Sequence, residues 1–288
     1  MNNQKSFTII RELEGSFSSK VELIKDTNNK LWVLKTVPKN DAEEIYNEKY
    51  FLKTLSDNKL NPICIWNLDS LEPNQLIIEY IENSNTVGKT INSNAYNLLG
   101  KEVKKMHGIK YDKIFKINSS NQKVEVNWND FILKELEKGL KRIETKKINF
   151  TNLEINQITT TINNLSKIPL FEISLLHCDL HFNNALFTDT ENPKIFLFDK
   201  GSSIISGHPY YDLAIAVIEF PSLFGLEKST SNSQELFLSF VDGYDLNFWE
   251  HDRELLLDYV LLRSIQRLGS PFNPYLEDLI KSILKYKN

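Results

Sequence analysis

The stretch LHCDLHFNNALF (residues 176–187) decides the fold, together with IFLFDKG (residues 195–201), which follows it. Short apolar runs rich in Ile, Leu and Phe and bounded by polar residues are typical of short buried strands. The loop between the first two runs carries Asp179 and Asn184, and the third run delivers a second carboxylate, Asp199. We therefore expect two carboxylates and a carboxamide to meet at strand ends, where oxygen ligands can hold Mg²⁺.

Phosphoryl transfer requires such a set, because one group orients the attacking hydroxyl and two oxygen ligands fix the metal on the phosphates. The order and spacing also resemble the catalytic core of the protein-kinase-like superfamily, most closely its aminoglycoside phosphotransferase and choline kinase branch. His177, Asp179, His181 and Asn184 match that branch's pattern His-Gly-Asp-x-His-x-x-Asn, with a cysteine in place of the glycine. A later block, GHPYYDLA (residues 207–214), resembles the branch's Gly-(His/Asp)-Pro-x-x-Asp-Leu-Ala.

The resemblance implies an α+β, bilobal protein-kinase-like fold, with a small β-rich amino-terminal lobe and a larger, mainly helical carboxy-terminal lobe. It places a nucleotide-binding lobe at residues 1–82 and a catalytic and acceptor-binding lobe at residues 83–288. The hydrophobic periodicity predicts strands at residues 20–25, 31–37, 62–68 and 76–81 and helices at residues 98–107, 129–143, 153–165, 212–220, 233–244, 248–268 and 274–286. Asp41 and Glu44 are expected to form a capping box at the start of an earlier helix.

The same resemblance implies a role for each polar residue of the catalytic block. Asp179 would accept or orient the proton of the acceptor hydroxyl, and Asn184 and Asp199 would hold Mg²⁺ on the phosphate oxygens. His181 would donate a hydrogen bond near the transferred phosphate. Lys200 departs from the pattern, because an aromatic or small residue is more usual after the metal-binding aspartate. A lysine that points outward is harmless there, whereas one that points inward would compete with Mg²⁺.

A lysine of the amino-terminal lobe would hold the nucleotide's phosphates, and a glutamate would pair with that lysine. Lys35 closes a strand-like run and aligns with the lysine that binds the α- and β-phosphates in the resembled family. Its ion-pair partner is expected on the following helix, where Glu48 is the first choice and Glu44, one helical turn earlier, is the alternative. From the residues alone, a solvated lysine at a strand end is an equally ordinary interpretation of Lys35.

Four further residues are expected to contact the nucleotide or to support the loop beside it. Ser16 lies where a phosphate-covering hairpin is expected, and the main chain of Glu79 and Ile81 would bond the adenine edge. Asp212, in the third motif block, is expected to begin a helix and to brace the catalytic loop by accepting hydrogen bonds from its backbone.

The composition indicates the setting in which the chain works. The 288 residues carry a formal net charge of −4, which argues against a dedicated nucleic-acid or anionic-membrane surface. No stretch is apolar for long enough to span a bilayer, and the amino terminus lacks the apolar core of a signal peptide. Two cysteines do not make a disulfide framework, so a reducing cytoplasm is the expected location.

The expected reaction is Mg²⁺-dependent transfer of the γ-phosphate of ATP, or of GTP, to a hydroxyl of a small molecule. Candidate acceptors are an aminoglycoside, a sugar, an amino sugar or a choline-like alcohol. The acidic stretch at residues 242–258 could hold an amine-bearing acceptor, although a solvated helix face explains it equally well. Only the segment Lys200 to His208 separates Asp199 from Pro209, which leaves little room for a platform that binds a peptide.

Two alternatives remain open from the sequence. His177, Asp179 and His181 alternate, so on a strand they would share one face and could bind a transition metal in a metal-dependent hydrolase. Alternatively, the chain could be a kinase-fold binding module without turnover, a reading supported by its sparse glycines and by Lys200.

Overall fold

The computed structural model describes residues 7–13, 19–60, 63–66, 71–201, 204–220, 223, 233–246, 253–269 and 274–287. The strands are β1 (Phe7–Glu12), β2 (Lys20–Asp26), β3 (Leu31–Thr36), β4 (Gln75–Glu79), β5 (Ser84–Thr86), β6 (Phe115–Ile117), β7 (Lys123–Glu125), β8 (Ser174–Leu175), β9 (Ala185–Thr188), β10 (Lys194–Leu197) and β11 (Ser206–Gly207). The helices are α1 (Ala42–Asp57), α2 (Ser93–His107), α3 (Trp128–Thr145), α4 (Asn152–Ser166), α5 (Tyr210–Ile218), α6 (Ser233–Tyr244), α7 (Arg253–Arg267) and α8 (Leu276–Tyr286). A β-rich first part and a mainly helical second part confirm the predicted α+β class.

A four-stranded antiparallel sheet in the order β1-β2-β3-β4 builds the amino-terminal part. Side chains alternate between the two faces of a strand. Trp32 and Leu34 of β3 are buried in a small apolar cluster on one face of the sheet. Val33 and Lys35 therefore face the opposite side, where the sheet borders a cleft. The alternation explains how a lysine in a central strand comes to point at a functional site.

The predicted strand at residues 62–68 can be compared only in part, because residues 61–62 and 67–70 lie outside the described ranges. Within the described part, Ile65 makes a single antiparallel bridge to Ile78 of β4. The strand predicted at residues 76–81 ends earlier, at Glu79. Residues 80–81 lead from the sheet to the second part of the chain, and the N–H of Tyr80 still donates to the carbonyl of Leu31 at 3.4 Å.

The predicted capping box at the start of α1 is wrong. A 3₁₀ turn, Lys39–Asp41, precedes the helix, and the side chain of Asp41 makes no capping hydrogen bond. Glu44 does not reach back to Asp41, because its carboxylate contacts the ammonium of Lys35 at 3.1 Å. The glutamate is thus engaged by the cleft rather than by the end of its own helix.

The predicted helices of the second part correspond to α2 through α8, with shifted ends, and residues 247–252 of the segment before α7 lie outside the described ranges. Three short sheets accompany them: β10-β9-β5, β11-β8 and the hairpin β6-β7. No helix in the described parts of the chain is both long and apolar enough to cross a bilayer. Every residue of α5 is buried. The first turn of this helix carries Asp212, which accepts a hydrogen bond from the backbone of the loop after β8.

Candidate active site

The loop that follows β8 is held by the buried carboxylate of Asp212 at the start of α5. Asp212 accepts the N–H of His177 at 2.6 Å and the N–H of Cys178 at 2.7 Å, and His107 Nε2 lies 3.3 Å away. Cys178 has a positive φ of 65°, a conformation that costs energy for a residue with a side chain. The two hydrogen bonds that the carboxylate accepts offset that cost. Asp212 thus braces the loop, as the sequence led us to expect.

The pKa of Asp212 reflects this bracing. Burial by itself raises the pKa, but the hydrogen bond from His107 and the nearby His177 outweigh it and hold the pKa below its usual range. A carboxyl group with a lowered folded-state pKa stabilises the fold above its unfolded pKa, about 3.9. That contribution is lost as the pH falls through the folded-state value.

We predict that Asp212→Asn lowers the free energy of unfolding by about 2–3 kcal/mol at pH 7, because an amide nitrogen then faces a buried N–H donor. Urea unfolding of wild type and variant measures the difference. The difference should begin to shrink as the pH falls below about 4, and it should disappear as the pH passes through the lowered folded-state pKa of Asp212, where the wild-type carboxylate is itself protonated. Asp242→Asn, at an exposed aspartate that accepts a hydrogen bond from Asn97, is the matched control. An equal loss in both variants would contradict the bracing role.

Asp179 lies at the centre of the loop, and both of its carboxylate oxygens are engaged. Arg267 Nη2 donates to Oδ1, and Asn184 Nδ2 donates to Oδ2 at 3.1 Å and to the main-chain oxygen at 2.8 Å. Burial opposes ionisation, but Arg267, His181 and His177 together hold the pKa of Asp179 below its usual range. At neutral pH this group is therefore an oriented anion with lone pairs still available to accept a proton.

The contact from Arg267 to Asp179 was not predicted, and it comes from the end of α7. Arg263, one turn earlier, donates to the carbonyl of Cys178 at 2.6 Å, so both arginines hold the same loop. Residues four apart share a helix face, and this spacing is the one signal in the sequence that could have suggested a common target. Burial and the neighbouring Arg263 lower the pKa of Arg267 to about 10, which still leaves it charged at neutral pH.

His181 lies on the side of Asp179 that faces α5 and α7. Its Nδ1 is 2.6 Å from Glu219, and its Nε2 is 3.3 Å from Arg267 Nε and 3.6 Å from Asp179. Both ring nitrogens are therefore engaged by charged neighbours in this structure. The expected hydrogen bond from His181 near the transferred phosphate stays a prediction.

The geometry does not favour the hydrolase alternative. His177 is fully buried, its Nε2 donates to the carbonyl of Phe198 at 2.8 Å, and its Nδ1 accepts the N–H of Asp179 at 3.3 Å. Residues 177–181 form a loop rather than a strand, so strand alternation does not place the two histidines and Asp179 on one face. Among the residues that the structure describes, no group of three or more His, Cys, Asp or Glu side chains could hold a metal ion.

Lys35 is surrounded by three carboxylates. Its ammonium lies 2.9 Å from Glu48, 2.6 Å from Asp199 and 3.1 Å from Glu44. Both glutamates considered from the sequence are thus partners at once. Burial lowers the pKa of Lys35, but the three anions outweigh it and raise the pKa above its usual range. With one ammonium among three carboxylate groups, the cluster can accommodate a further cation.

Glu48 is the innermost of these carboxylates. It is 1% exposed, and its second oxygen accepts the N–H of Asp199 at 3.0 Å. Asp199 itself has a positive φ of 55°, so the chain turns sharply where β10 ends. The hydrogen bond from its backbone to Glu48 helps to hold this turn, and the carboxylate of Asp199 is thereby directed into the cleft beside Lys35.

Lys200 is buried, yet it is bonded away from the carboxylate of Asp199. Its Nζ donates to the main-chain oxygens of Gly201 and Ile204, both at 2.5 Å. Burial lowers the pKa of Lys200. The departure from the family pattern therefore places a lysine inside the protein, bonded to the segment that follows Asp199. Neither of the two orientations considered from the sequence describes this arrangement fully.

Asn184 and Asp199 meet the chemical requirements of a magnesium site. The amide nitrogen of Asn184 is used on Asp179, which leaves its carbonyl oxygen for another ligand. Asp199 uses Oδ1 on Lys35, which leaves Oδ2. Both residues line the cleft. Two protein oxygens are a suitable donor set, because Mg²⁺ usually keeps several waters and takes its remaining ligands from phosphates.

The cleft beneath the sheet has a volume of about 580 Å³. Its walls combine apolar side chains from both parts of the chain with the charged cluster around Lys35. The apolar residues are Leu13, Val21, Val33, Ile63, Ile78, Ile81, Leu186 and Phe198. This size and lining suit a flat aromatic group at one end and a charged group at the other.

The residues expected at the adenine edge lie in this cleft. The N–H of Glu79 donates to the carbonyl of Cys64 at 2.9 Å, and its side chain pairs with Lys30, so its carbonyl is the group left for a ligand. Among the described residues the N–H of Ile81 has no hydrogen-bond partner. Ser16, expected at the phosphate-covering hairpin, lies outside the described residues.

The acidic stretch suggested for an amine-bearing acceptor is engaged elsewhere. Asp242 accepts from Asn97 at 2.8 Å, Asp245 pairs with Lys104 at 2.6 Å, and Asp258 pairs with Lys287 at 2.9 Å. These contacts tie helices to one another. The described carboxylates of this stretch are therefore structural partners, and since Asp258 is mostly buried, a solvated face does not describe the stretch fully.

Solved structures of three small-molecule kinases are similar to this chain in fold. The choline kinase LicA from Streptococcus pneumoniae is 19% identical, with a TM-score of 0.63, covering 96% of this chain and 95% of that chain. The ADP-bound aminoglycoside phosphotransferase APH(2'')-Ib is 17% identical, with a TM-score of 0.61 and coverage of 99% and 94%. The Plasmodium vivax ethanolamine kinase Pv091845 is 18% identical, with a TM-score of 0.58 and coverage of 99% and 83%.

The family assignment follows from the sequence itself. No curated protein sequence matches the chain. A family model described as the phosphotransferase enzyme family, APH, matches residues 9–245, which is well over half of the chain. Together with the predicted motifs and the kinase-like fold, this match shows that the chain belongs to the phosphotransferase enzyme family.

Proposed function

We propose that this phosphotransferase is a small-molecule kinase that moves the γ-phosphate of ATP, with GTP as a possible donor, to a hydroxyl group in a Mg²⁺-dependent reaction. The observation that carries the proposal is the convergence of Asn184, Asp199 and the Lys35–Glu48 ion pair on one cleft, with Asp179 bonded to Asn184 beside it. In-line transfer needs positioned phosphates, charge neutralisation and an oriented hydroxyl, and this set contains a group for each need.

Residues 1–82 would form the lobe that binds the nucleotide. The adenine would lie between the apolar walls of the cleft, with its edge bonded to the carbonyl of Glu79 and the N–H of Ile81. Lys35 would bond the α- and β-phosphates, since its ammonium is held rigidly by buried Glu48. Ser16 would lie near the phosphates. A similar structure is that of an ADP-bound aminoglycoside phosphotransferase, which supports a nucleotide as a ligand of this chain.

The carbonyl oxygen of Asn184 and the carboxylate of Asp199 would hold Mg²⁺, which neutralises developing charge on the phosphate oxygens when it is bound. Asp199 is 40% exposed at its side chain, so it remains accessible from the cleft. The two residues end up side by side because β9 begins just after Asn184 and its partner β10 ends just before Asp199. The antiparallel pairing of these strands therefore fixes the site.

Asp179 would accept the proton of the acceptor hydroxyl as that oxygen attacks the γ-phosphorus. Asn184 and Arg267 hold its carboxylate in one orientation, and the lowered pKa keeps it ionised at neutral pH. A positioned base of this kind contributes about 10²–10⁴ in rate. Residues 83–288 would supply this base together with the acceptor pocket.

The acceptor would be a small alcohol such as an aminoglycoside, a sugar, an amino sugar or a choline-like compound, met in the cytoplasm. The segment between Asp199 and Pro209 is short, which leaves little room for a peptide platform. Similar structures include kinases named for choline and ethanolamine, which supports this class of acceptor. The test is incubation with Mg·ATP and a mixed panel of such alcohols, followed by mass spectrometry. One compound should gain one phosphoryl group, whereas phosphorylation of a protein partner with no change in the panel would overturn the small acceptor.

We predict that Arg267→Met moves the acid limb of the pH profile of kcat/KM for the acceptor to higher pH. Without the guanidinium, less charge stabilises the carboxylate of Asp179, so its pKa rises and the base is protonated over more of the acid range. Arg267→Lys keeps a positive charge and should show a smaller displacement. Superimposable profiles for all three proteins would show that Arg267 does not act through Asp179.

A further inference from the structure

The β6–β7 hairpin, residues 115–125, lies between α2 and α3 in the chain but packs against α1. At the contact, Asn47 of α1 is fully buried. Its Nδ2 donates to the carbonyl of Ile117 at 2.9 Å, and its Oδ1 accepts the N–H of Ile117 at 3.2 Å. The side chain thus pairs with the backbone as a neighbouring strand would. A buried amide is costly unless both its groups are bonded, so this pairing fixes where α1 sits on the hairpin.

The same edge of β6, which faces away from β7, is also joined to the catalytic part of the chain. Phe115 accepts the N–H of Ile205 at 2.9 Å, and the carbonyl of Ile205 in turn accepts the N–H of Leu176 at 2.8 Å. Ser206 also bonds the N–H of Phe115 at 3.2 Å. Leu176 immediately precedes the catalytic loop, and Ile205 follows Asp199 by six residues. The hairpin is therefore bonded directly to the segment that follows Asp199 and, through Ile205, to the residue that precedes the catalytic loop.

Further contacts strengthen the attachment to α1. The rings of Tyr50 and Phe115 meet edge to face with centroids 5.6 Å apart. Lys116 pairs with Glu43 at 2.8 Å, near the start of the helix. Aromatic pairs of this geometry contribute more than an exposed ion pair does. The central contacts are thus those of Asn47 and Tyr50, which flank Glu48.

We propose that Asn47 is a positioning residue: through the β6–β7 hairpin it holds α1 so that Glu48 reaches Lys35 and the backbone of Asp199 before any nucleotide binds. The proposal rests on the proposed function, because it assigns Glu48 the task of orienting the phosphate-binding lysine. Glu48 directly follows Asn47 on α1, so a shift of the helix at Asn47 moves both bonds of Glu48 together. The hairpin would then give the enzyme a permanently assembled site.

The test compares Asn47→Ala with Asn74→Ala. Asn74 is also a buried asparagine of the amino-terminal part, and its Nδ2 donates to the carbonyl of Val37 at 2.5 Å, away from the hairpin. Two quantities are measured at a temperature where all proteins are folded: the dissociation constant of Mg·ATP by calorimetry, and amide hydrogen exchange along α1 without nucleotide. Asn47→Ala should weaken Mg·ATP binding by about tenfold and speed exchange in α1, while Asn74→Ala should do neither.

Several outcomes would overturn the proposal. Unchanged Mg·ATP binding in Asn47→Ala would do so, as would an equal loss in Asn74→Ala, which would indicate general destabilisation. If Asn47→Ala does not fold, Tyr50→Leu takes its place, since it weakens the ring contact without leaving a buried amide. If wild type itself fails to bind Mg·ATP, the proposed function fails, and hydrogen exchange still decides whether Asn47 holds α1.

Discussion

Asp179→Asn should lower the rate of phosphoryl transfer by about 10²–10⁴-fold while leaving the dissociation constant of Mg·ATP nearly unchanged. The amide has the shape of the carboxylate and can still accept a hydrogen bond from Arg267 or Asn184, so the loop should keep its conformation. It is a far weaker base than the carboxylate and cannot take the hydroxyl proton at neutral pH. Steady-state rates and calorimetric binding measure the two quantities on the same preparation.

Measuring the transfer rate and the binding of Mg·ATP separately distinguishes a role of Asp179 as base from a role in supporting the metal site. Asp179 lies on the acceptor side of Asn184 and is not among the described residues that line the nucleotide cleft. A variant that retained near-wild-type turnover would remove Asp179 from the role of base. A variant that lost nucleotide binding to the same degree as turnover would show instead that Asp179 supports the metal site.

Asp199→Ala should weaken Mg·ATP binding by about 10- to 100-fold, a range typical of damage to a metal's supporting residues. In the absence of Mg²⁺ the same variant should bind ATP as well as wild type or better, because an anion that repels the phosphates is gone. Calorimetric titrations with and without Mg²⁺ therefore separate metal binding from nucleotide binding. Asp189→Ala, in the exposed turn between β9 and β10, is the matched control. An equal loss with and without Mg²⁺ would mean that Asp199 is needed for the fold of the cleft rather than for the metal.

The sequence was most informative where functional residues are close together in the chain. Asp179 and Asn184 are five residues apart in one loop. Strand β9 begins just after Asn184, and its antiparallel partner β10 ends just before Asp199. Their meeting therefore follows from a single antiparallel pair. The choice between Glu44 and Glu48 could not be made from spacing, because residues four apart share a helix face. The structure places both carboxylates on Lys35.

Contacts between segments that are far apart in the chain could not be predicted from local sequence patterns. The hydrogen bond from Arg267 to Asp179 joins residues 88 apart, and the one from His181 to Glu219 joins residues 38 apart. Both depend on how α5 and α7 pack, which periodicity does not specify. The buried position of Lys200 was unexpected for a related reason, since two main-chain carbonyls nearby accept its bonds.

Strands that lack a clear hydrophobic alternation were also missed. Strand β1 is an edge strand whose residues Thr8–Glu12 are mostly exposed, and β7 is exposed throughout. Propensity for the strand state depends largely on packing against neighbours, so such segments carry little signal by themselves. The β6–β7 hairpin was overlooked because β6 has only three residues and its partner β7 is exposed.

In the proposed reaction one cleft binds Mg·ATP, and the γ-phosphate passes to a small alcohol whose proton Asp179 accepts. Phosphorus NMR of the protein with Mg·ATP and the mixed alcohol panel tests it most directly, with Asp179→Asn run in parallel. In the wild-type sample a new phosphomonoester resonance should grow as the γ-phosphate resonance of ATP declines. This resonance should be absent from the Asp179→Asn sample. A wild-type protein that binds Mg·ATP yet yields only inorganic phosphate, or an equal phosphomonoester resonance from the variant, would contradict the proposed reaction.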